Sequence, residues 1–257
     1  MSNRATPTTP STDQLATFSL DVKYTRIASA FTAAGITTIL LKGPAFDQLL
    51  FDGTRSRTYC DIDLLVDPAR VLAAERLLAR LGFRRAEPES AVRELIRRAG
   101  IAVGVLGAAH ATAWIRDRDQ FTVDLHDTVP EVCASAEEAW LALRAHRVTS
   151  TVVGARVQTL DRTASALLIA LHAAHHGPGW NRARADLRRA CEVLERDVWP
   201  AAALLARELR AEAAMGIGLG TVGDGRALAH ELGLRTKPTP AYRLMWSGVA
   251  WTERGRA

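Results

Sequence analysis

A chain of 257 residues, with 33 Lys and Arg against 28 Asp and Glu, a formal charge of +5 and 48% hydrophobic residues, has enough length and apolar content for one large or two small cores. No apolar run approaches the roughly 20 residues needed to cross a bilayer, and no basic block is dense enough for duplex DNA or RNA. Cys60, Cys133 and Cys191 are odd in number, far apart and without a CxxC pair, which argues against a disulfide framework or a zinc knuckle and points to a reducing cytoplasm.

The opening MSNRATPTTPSTDQ is polar and rich in Pro and Thr, and reads as a disordered lead-in over 1–14 rather than a signal peptide. Apolar positions recur at helical spacing over 12–34, up to Gly35. ITTILL (36–41) is short, β-branched and apolar, as in a buried strand, and GPAFDQLLF (43–51) follows with Pro44 suited to a first helical turn. After the loop GTRSRT comes the strand DIDLLV, and then Asp67-Pro68, an N-cap with Pro at the first helical position. Val71, Leu72, Leu77, Leu78 and Leu81 form the apolar face of that helix, and Gly82 stops it. Beyond a variable stretch (84–108), ATAWIRD and FTVDLHD flank a polar turn around Arg118-Asp119-Gln120, as in a hairpin, and VTSTVVGARVQTL reads as a second strand pair. From Asp161 to about Leu234 the pattern is helical, interrupted at HGPGW (176–180). The expected fold class is α+β, with a core over 15–160, a helical domain over 161–235 and a tail over 236–257 that mixes Pro, Gly and Trp. That tail reads as a free end, a partner-docking segment, or both.

The chemistry concentrates around the second strand. Alternation puts Asp61 and Asp63 on one face, about 6.5–7 Å apart, with Ile62 and Leu64 on the other. Two carboxylates on one face repel each other unless the face is wet or a divalent cation lies between them. Mg²⁺ accepts one or two protein carboxylates and completes its shell with water and substrate phosphates. Asp124, flanked by Val123 and Leu125, is a third acid that joins this patch if its strand neighbours DIDLLV. The Lys42-Gly43 turn sits at a strand-to-helix junction, where backbone N–H groups and the helix dipole favour phosphate. Only Lys23, Lys42 and Lys237 are lysines, so a compact ammonium at this turn stands out in an Arg-rich chain.

Other candidates carry two readings each. Arg57, just before the DxD, is either a phosphate clamp or one surface arginine among many. His126 shares the face of Asp124, and either orients an acid or satisfies a hydrogen bond at a strand end. His172, His175 and His176 crowd one side of a helix, but without an HExxH glutamate or an adjacent carboxylate they do not make a zinc site. His172 and His176 either line the groove facing the sheet, touching nucleotide or acceptor, or cap their helix. Trp180 stacks on a base or packs against its own loop. Ser56 and Thr58 lack a general base at recognisable spacing, and Cys60 beside Asp61 is disfavoured as a thiolate, so a Ser or Cys nucleophile is not expected.

LLKGPA, DIDLLV and VDLH, followed by LLIALHAAHH, together resemble the uncharacterised bacterial nucleotidyltransferase family of the polymerase-β-like nucleotidyltransferase superfamily. The resemblance spans roughly 25–195 and is most specific over 38–67. It implies a small mixed sheet with flanking helices, and metal-dependent transfer of a nucleoside monophosphate from an NTP to an acceptor hydroxyl or phosphate. Asp61 and Asp63 would then hold Mg²⁺ or Mn²⁺, and Asp124 would share a metal or act as base. Lys42 and Gly43 would bind the triphosphate. The acceptor favoured is a small molecule, with no membrane partner. The Lys-Gly-Pro turn departs from the superfamily's usual Gly-Gly or Gly-Ser, and the gap from Gly43 to Asp61 is longer than its commonest form. Two other function classes share these features: a non-catalytic nucleotide binder of the same fold, and a γ-phosphate transferase.

Overall fold

The computed structural model describes residues 12–54, 59–86 and 111–254. Residues 1–11 of the expected lead-in, Arg57 with its neighbours Ser56 and Thr58, and most of the variable stretch lie outside the described residues. Helix α1 (Thr12–Ala33) begins inside the expected lead-in and leads to β1 (Thr38–Leu40) and α2 (Pro44–Phe51). β2 (Asp61–Val66) carries DIDLLV. The Asp67 side chain then accepts from Ala69 N at 3.0 Å, capping a 3-10 turn (Pro68–Arg70) that opens α3 (Val71–Arg80). A short β3 (Arg84–Arg85) precedes the hairpin of β4 (Ala111–Arg116) and β5 (Phe121–His126).

α4 (Ala136–Ala145) was not expected from the apolar pattern, although its start is legible. Ser135 Oγ accepts from Glu138 N at 3.2 Å and the Glu138 carboxylate accepts from Ser135 N at 2.8 Å, a capping box. β6 (Arg147–Val152) and β7 (Ala155–Leu160) form the second strand pair. Helices α5 (Arg162–His176), α6 (Asn181–Val193), α7 (Val198–Glu208), α8 (Glu212–Leu219) and α9 (Gly223–Glu231) follow. The break between α5 and α6 falls at HGPGW, as expected. The expected tail carries a helix, α10 (Pro240–Arg254). Trp246 Nε1 donates to Ala174 O at 2.8 Å, and a Cβ on Gly177 would lie 2.5 Å from the Trp246 ring, so glycine is required there.

The class is α+β. The strands described form one mixed sheet in the order β3-β4-β5-β2-β1-β7-β6. β1 runs antiparallel to β2 and parallel to β7, and β2 runs parallel to β5. On one face Leu40, Ile62, Leu64, Val66, Val123 and Leu125 pack with Tyr24, Ile27 and Phe31 of α1 and Leu77 and Leu78 of α3. On the other, Ile39, Leu41, Leu65 and Leu160 share a core with Phe46 and Leu50 of α2, Trp140 of α4 and the helices from α5 onward. Almost every α5 side chain from Ala164 to Ala174 is buried, which makes it the axis of that second layer. The helical region therefore shares its core with the sheet instead of building one of its own.

Candidate active site

The acids lie on the face covered by the helices. Parallel pairing sets Asp63 opposite Asp124 and Asp61 opposite Thr122. Paired residues point to the same side about 4.8 Å apart, so Asp124 joins the Asp61 and Asp63 face. Asp63 is only 4% exposed. Its Oδ1 accepts from Lys42 Nζ at 2.7 Å and from His126 Nε2 at 3.0 Å. Burial alone would push this carboxyl up, but the Lys42 charge and the His126 hydrogen bond and charge outweigh it and hold the group well below the usual carboxylate range.

Asp124 behaves in the opposite way. It has no hydrogen bond or ion pair among the described residues. Burial first, and then the negative charges of Asp63 and Asp61, push its carboxyl up to about 6, with His126 and Lys42 pulling partly back. The two neighbouring aspartates are thus driven apart, one ionised far below neutral pH and the other losing its proton only around pH 6, as like charges on one patch require.

Lys42 reaches this patch from the end of β1, where Leu41 N donates to Asp63 O at 3.0 Å and brings the two chain segments together. Gly43 has φ 61° and ψ −119°, a conformation that side-chain-bearing residues rarely adopt. A Cβ there would meet the Tyr59 ring at 3.4 Å, and the Tyr59 hydroxyl is anchored on the Asp21 carboxylate. The turn offers fewer donors than a strand-to-helix junction suggests. Pro44 has no N–H, while Ala45 N and Asp47 N donate to the carbonyls of Lys42 and Gly43. Asp47, buried in the first turn of α2, also opposes an anion at this helix end.

From the helical side, His176 lies near enough for Lys42 and Asp63 to act on its charge. Its imidazole is pushed down to about 4, first by burial and then by His175 and Lys42, against the pull of Asp63 and Glu131. His172 meets His176 edge-on at 4.6 Å, and Trp180 stacks on His176 at 4.6 Å with an interplanar angle of 24°. His175 points away and pairs with Glu131 at 2.9 Å, where the Tyr242 hydroxyl of α10 also donates.

His126, a candidate from the sequence, hydrogen-bonds Asp63 on the next strand rather than Asp124 on its own, a partner only the strand register reveals. One participant escaped the sequence reading. Arg182, in the first turn of α6, is close enough to Cys60 to draw its thiol back down, although burial and the Asp61 charge still leave that thiol raised.

Among the described residues, no three His, Cys, Asp or Glu side chains form a ready-made metal cage. The donor chemistry nevertheless fits a hard divalent cation. Asp61, Asp63 and Asp124 are oxygen donors on one face, and their mutual repulsion, legible in the raised Asp124 carboxyl, is what a cation relieves. A site of this kind takes its remaining ligands from water and substrate phosphates.

The sequence model of the uncharacterised nucleotidyltransferases matches residues 12–224. Among solved structures, the solution structure of the antibiotic-resistance factor ANT(2'')-Ia is 17% identical with a TM-score of 0.49, covering 77% of this chain and 95% of that one. The crystal structure of ANT(2'')-Ia in complex with adenylyl-2''-tobramycin is 16% identical with a TM-score of 0.49, over 74% of this chain and 98% of that one. An antigenic nucleotidyltransferase-like protein from Paracoccidioides brasiliensis is 15% identical with a TM-score of 0.44, over 87% and 96% of the two chains. No curated protein matches the sequence.

Proposed function

Because the chain belongs to the uncharacterised nucleotidyltransferase family, we propose that it moves a nucleoside monophosphate from an NTP to a hydroxyl or phosphate of a small acceptor, releasing pyrophosphate. The observation that carries this reading is the register of Asp63 with Asp124 across two parallel strands, with Asp61 on the same face. Asp61 and Asp63 would hold the cation, Mg²⁺ or Mn²⁺, with Asp124 either sharing it or acting as base. When bound, it neutralises phosphate charge and aligns attacking and leaving oxygens.

The chain's own groups divide the remaining work. His126 fixes the Asp63 carboxylate and, after the Lys42 charge, helps to keep that acid ionised. Asp124, with its carboxyl held at about 6 as long as no cation binds it, is suited in the base role to take the proton of the acceptor hydroxyl near neutral pH. Lys42, with the Gly43 turn and Arg57, receives the triphosphate and then the leaving pyrophosphate. His172 and His176 flank the nucleotide from α5, Arg182 adds positive charge on the same side, and the helices over 161–235 exclude water from the groove. Catalysis here is positioning and charge neutralisation.

The test is mass spectrometry of candidate acceptors (polyols, aminoglycosides and nucleotides) and of the protein itself after incubation with a divalent cation and each NTP. A gain of one nucleoside monophosphate is expected on one acceptor. Parallel reactions with α- and γ-labelled ATP separate the reaction types, since only nucleotidyl transfer leaves the α label on the acceptor. Nucleotide binding with no label transferred to any acceptor, and no pyrophosphate, would overturn the reading in favour of a non-catalytic binder.

A further inference from the structure

Lys42 and a divalent cation make the same demand on Asp63. The ammonium lies 2.7 Å from Oδ1, against a carboxylate whose side chain is 6% exposed, while the lysine side chain itself is 22% exposed. His126 donates to the same oxygen at 3.0 Å. The most buried acid of the patch is thus already compensated from within the chain, and the described residues present no group of three metal-binding side chains. A cation entering beside this ammonium would meet its positive charge at close range in a poorly screened setting. A triphosphate changes the balance, because it offers negative charge to both.

We propose that Lys42 is an internal counter-ion that occupies Asp63 in the nucleotide-free protein and swings to the phosphates when nucleotide arrives, so that metal and nucleotide enter together. The inference rests on the metal-holding reading of Asp61, Asp63 and Asp124. It accounts for a lysine, in a chain where arginine is the default cation, at this one turn. An ammonium on a flexible four-carbon stem can exchange one oxygen partner for another, whereas a guanidinium makes a planar, two-pronged pairing that is harder to hand over. Its partial exposure gives it a path toward the groove.

The test uses the nucleotide-free, full-length protein and Mn²⁺ as the probe, with free Mn²⁺ read by electron paramagnetic resonance and melting temperature followed in parallel. Wild type is expected to bind Mn²⁺ weakly. Lys42→Met is expected to bind it at least about tenfold tighter and to gain more melting temperature from it. Lys42→Gln keeps a hydrogen-bond donor at Asp63 without the charge, serves where the Met variant folds poorly, and should show the same gain. Equal or weaker Mn²⁺ binding in both variants overturns the counter-ion role. Adding Asp63→Asn to either variant should abolish the gain. A gain that survives the loss of Asp63 overturns the metal-holding reading itself, which is a distinguishable failure.

Discussion

The two faces of the sheet are built from alternate residues of the same strands, yet they follow opposite rules. On the α1 and α3 face, Ile62, Leu64, Val123 and Leu125 are buried with no polar partner to satisfy, and each contributes by leaving water. On the helical face, Asp61, Asp63, Asp124 and His126 stand among Leu41 and Leu65, where burial of a charge is tolerable only with a partner. The difference between Asp63 and Asp124 shows how local that requirement is. Neighbours in one register, they are pushed to opposite sides of the ordinary carboxylate range because one holds Lys42 and His126 and the other holds neither. One face supplies stability, and the other concentrates acidic charge where a ligand can use it.

The sharpest break in this comparison lies within the acidic face. Asp63→Asn should drop nucleotidyl transfer to background and, by stranding Lys42 and His126, cost about 2 kcal/mol of stability. Asp124→Asn should drop transfer as severely but leave stability at neutral pH unchanged or up to about 1 kcal/mol higher, since it removes a poorly solvated charge that has no partner among the described residues. Label transfer and calorimetric melting read both effects, and equal melting temperatures for the two variants would erase the distinction drawn here.

Across the sheet, Leu64→Ala should cost about 3 kcal/mol through lost burial and a residual cavity, with activity per folded molecule within about twofold of wild type. A loss of activity well beyond the unfolded fraction would mean that the two faces are mechanically coupled.

The comparison also extends to pH dependence. His176 titrates at about 4 in the folded chain against an ordinary 6.5, so between those values the unfolded chain binds a proton that the folded chain does not. Its share of stability is therefore complete above about pH 6.5 and is lost as pH falls toward 4. Replacing it by Gln should flatten that limb of a stability profile measured by denaturant midpoints, and an unchanged slope would place the imidazole in a more open setting.

Much of this arrangement is written in short-range pattern. The period of two in DIDLLV and FTVDLH assigns each side chain to a face, because a strand admits only that alternation. Asp67-Pro68 opens its helix, the turn around Arg118-Asp119-Gln120 joins two strands, and HGPGW breaks the helical run, each for reasons contained within a few residues. Helix α10 escaped that reading because its Pro- and Gly-bearing sequence is a weak helix former by itself and gains its setting from Tyr242 on Glu131 and Trp246 on Ala174. Alternation placed Asp124 on a polar face, but only the parallel pairing of β2 with β5 put it beside Asp63. The pairs that set the site's electrostatics, Lys42 with Asp63 across 21 positions and His126 with Asp63 across 63, belong to tertiary structure alone. Periodicity is decided by each strand's own geometry, whereas strand order and the choice of ion-pair partner are decided by how the whole chain buries its two cores.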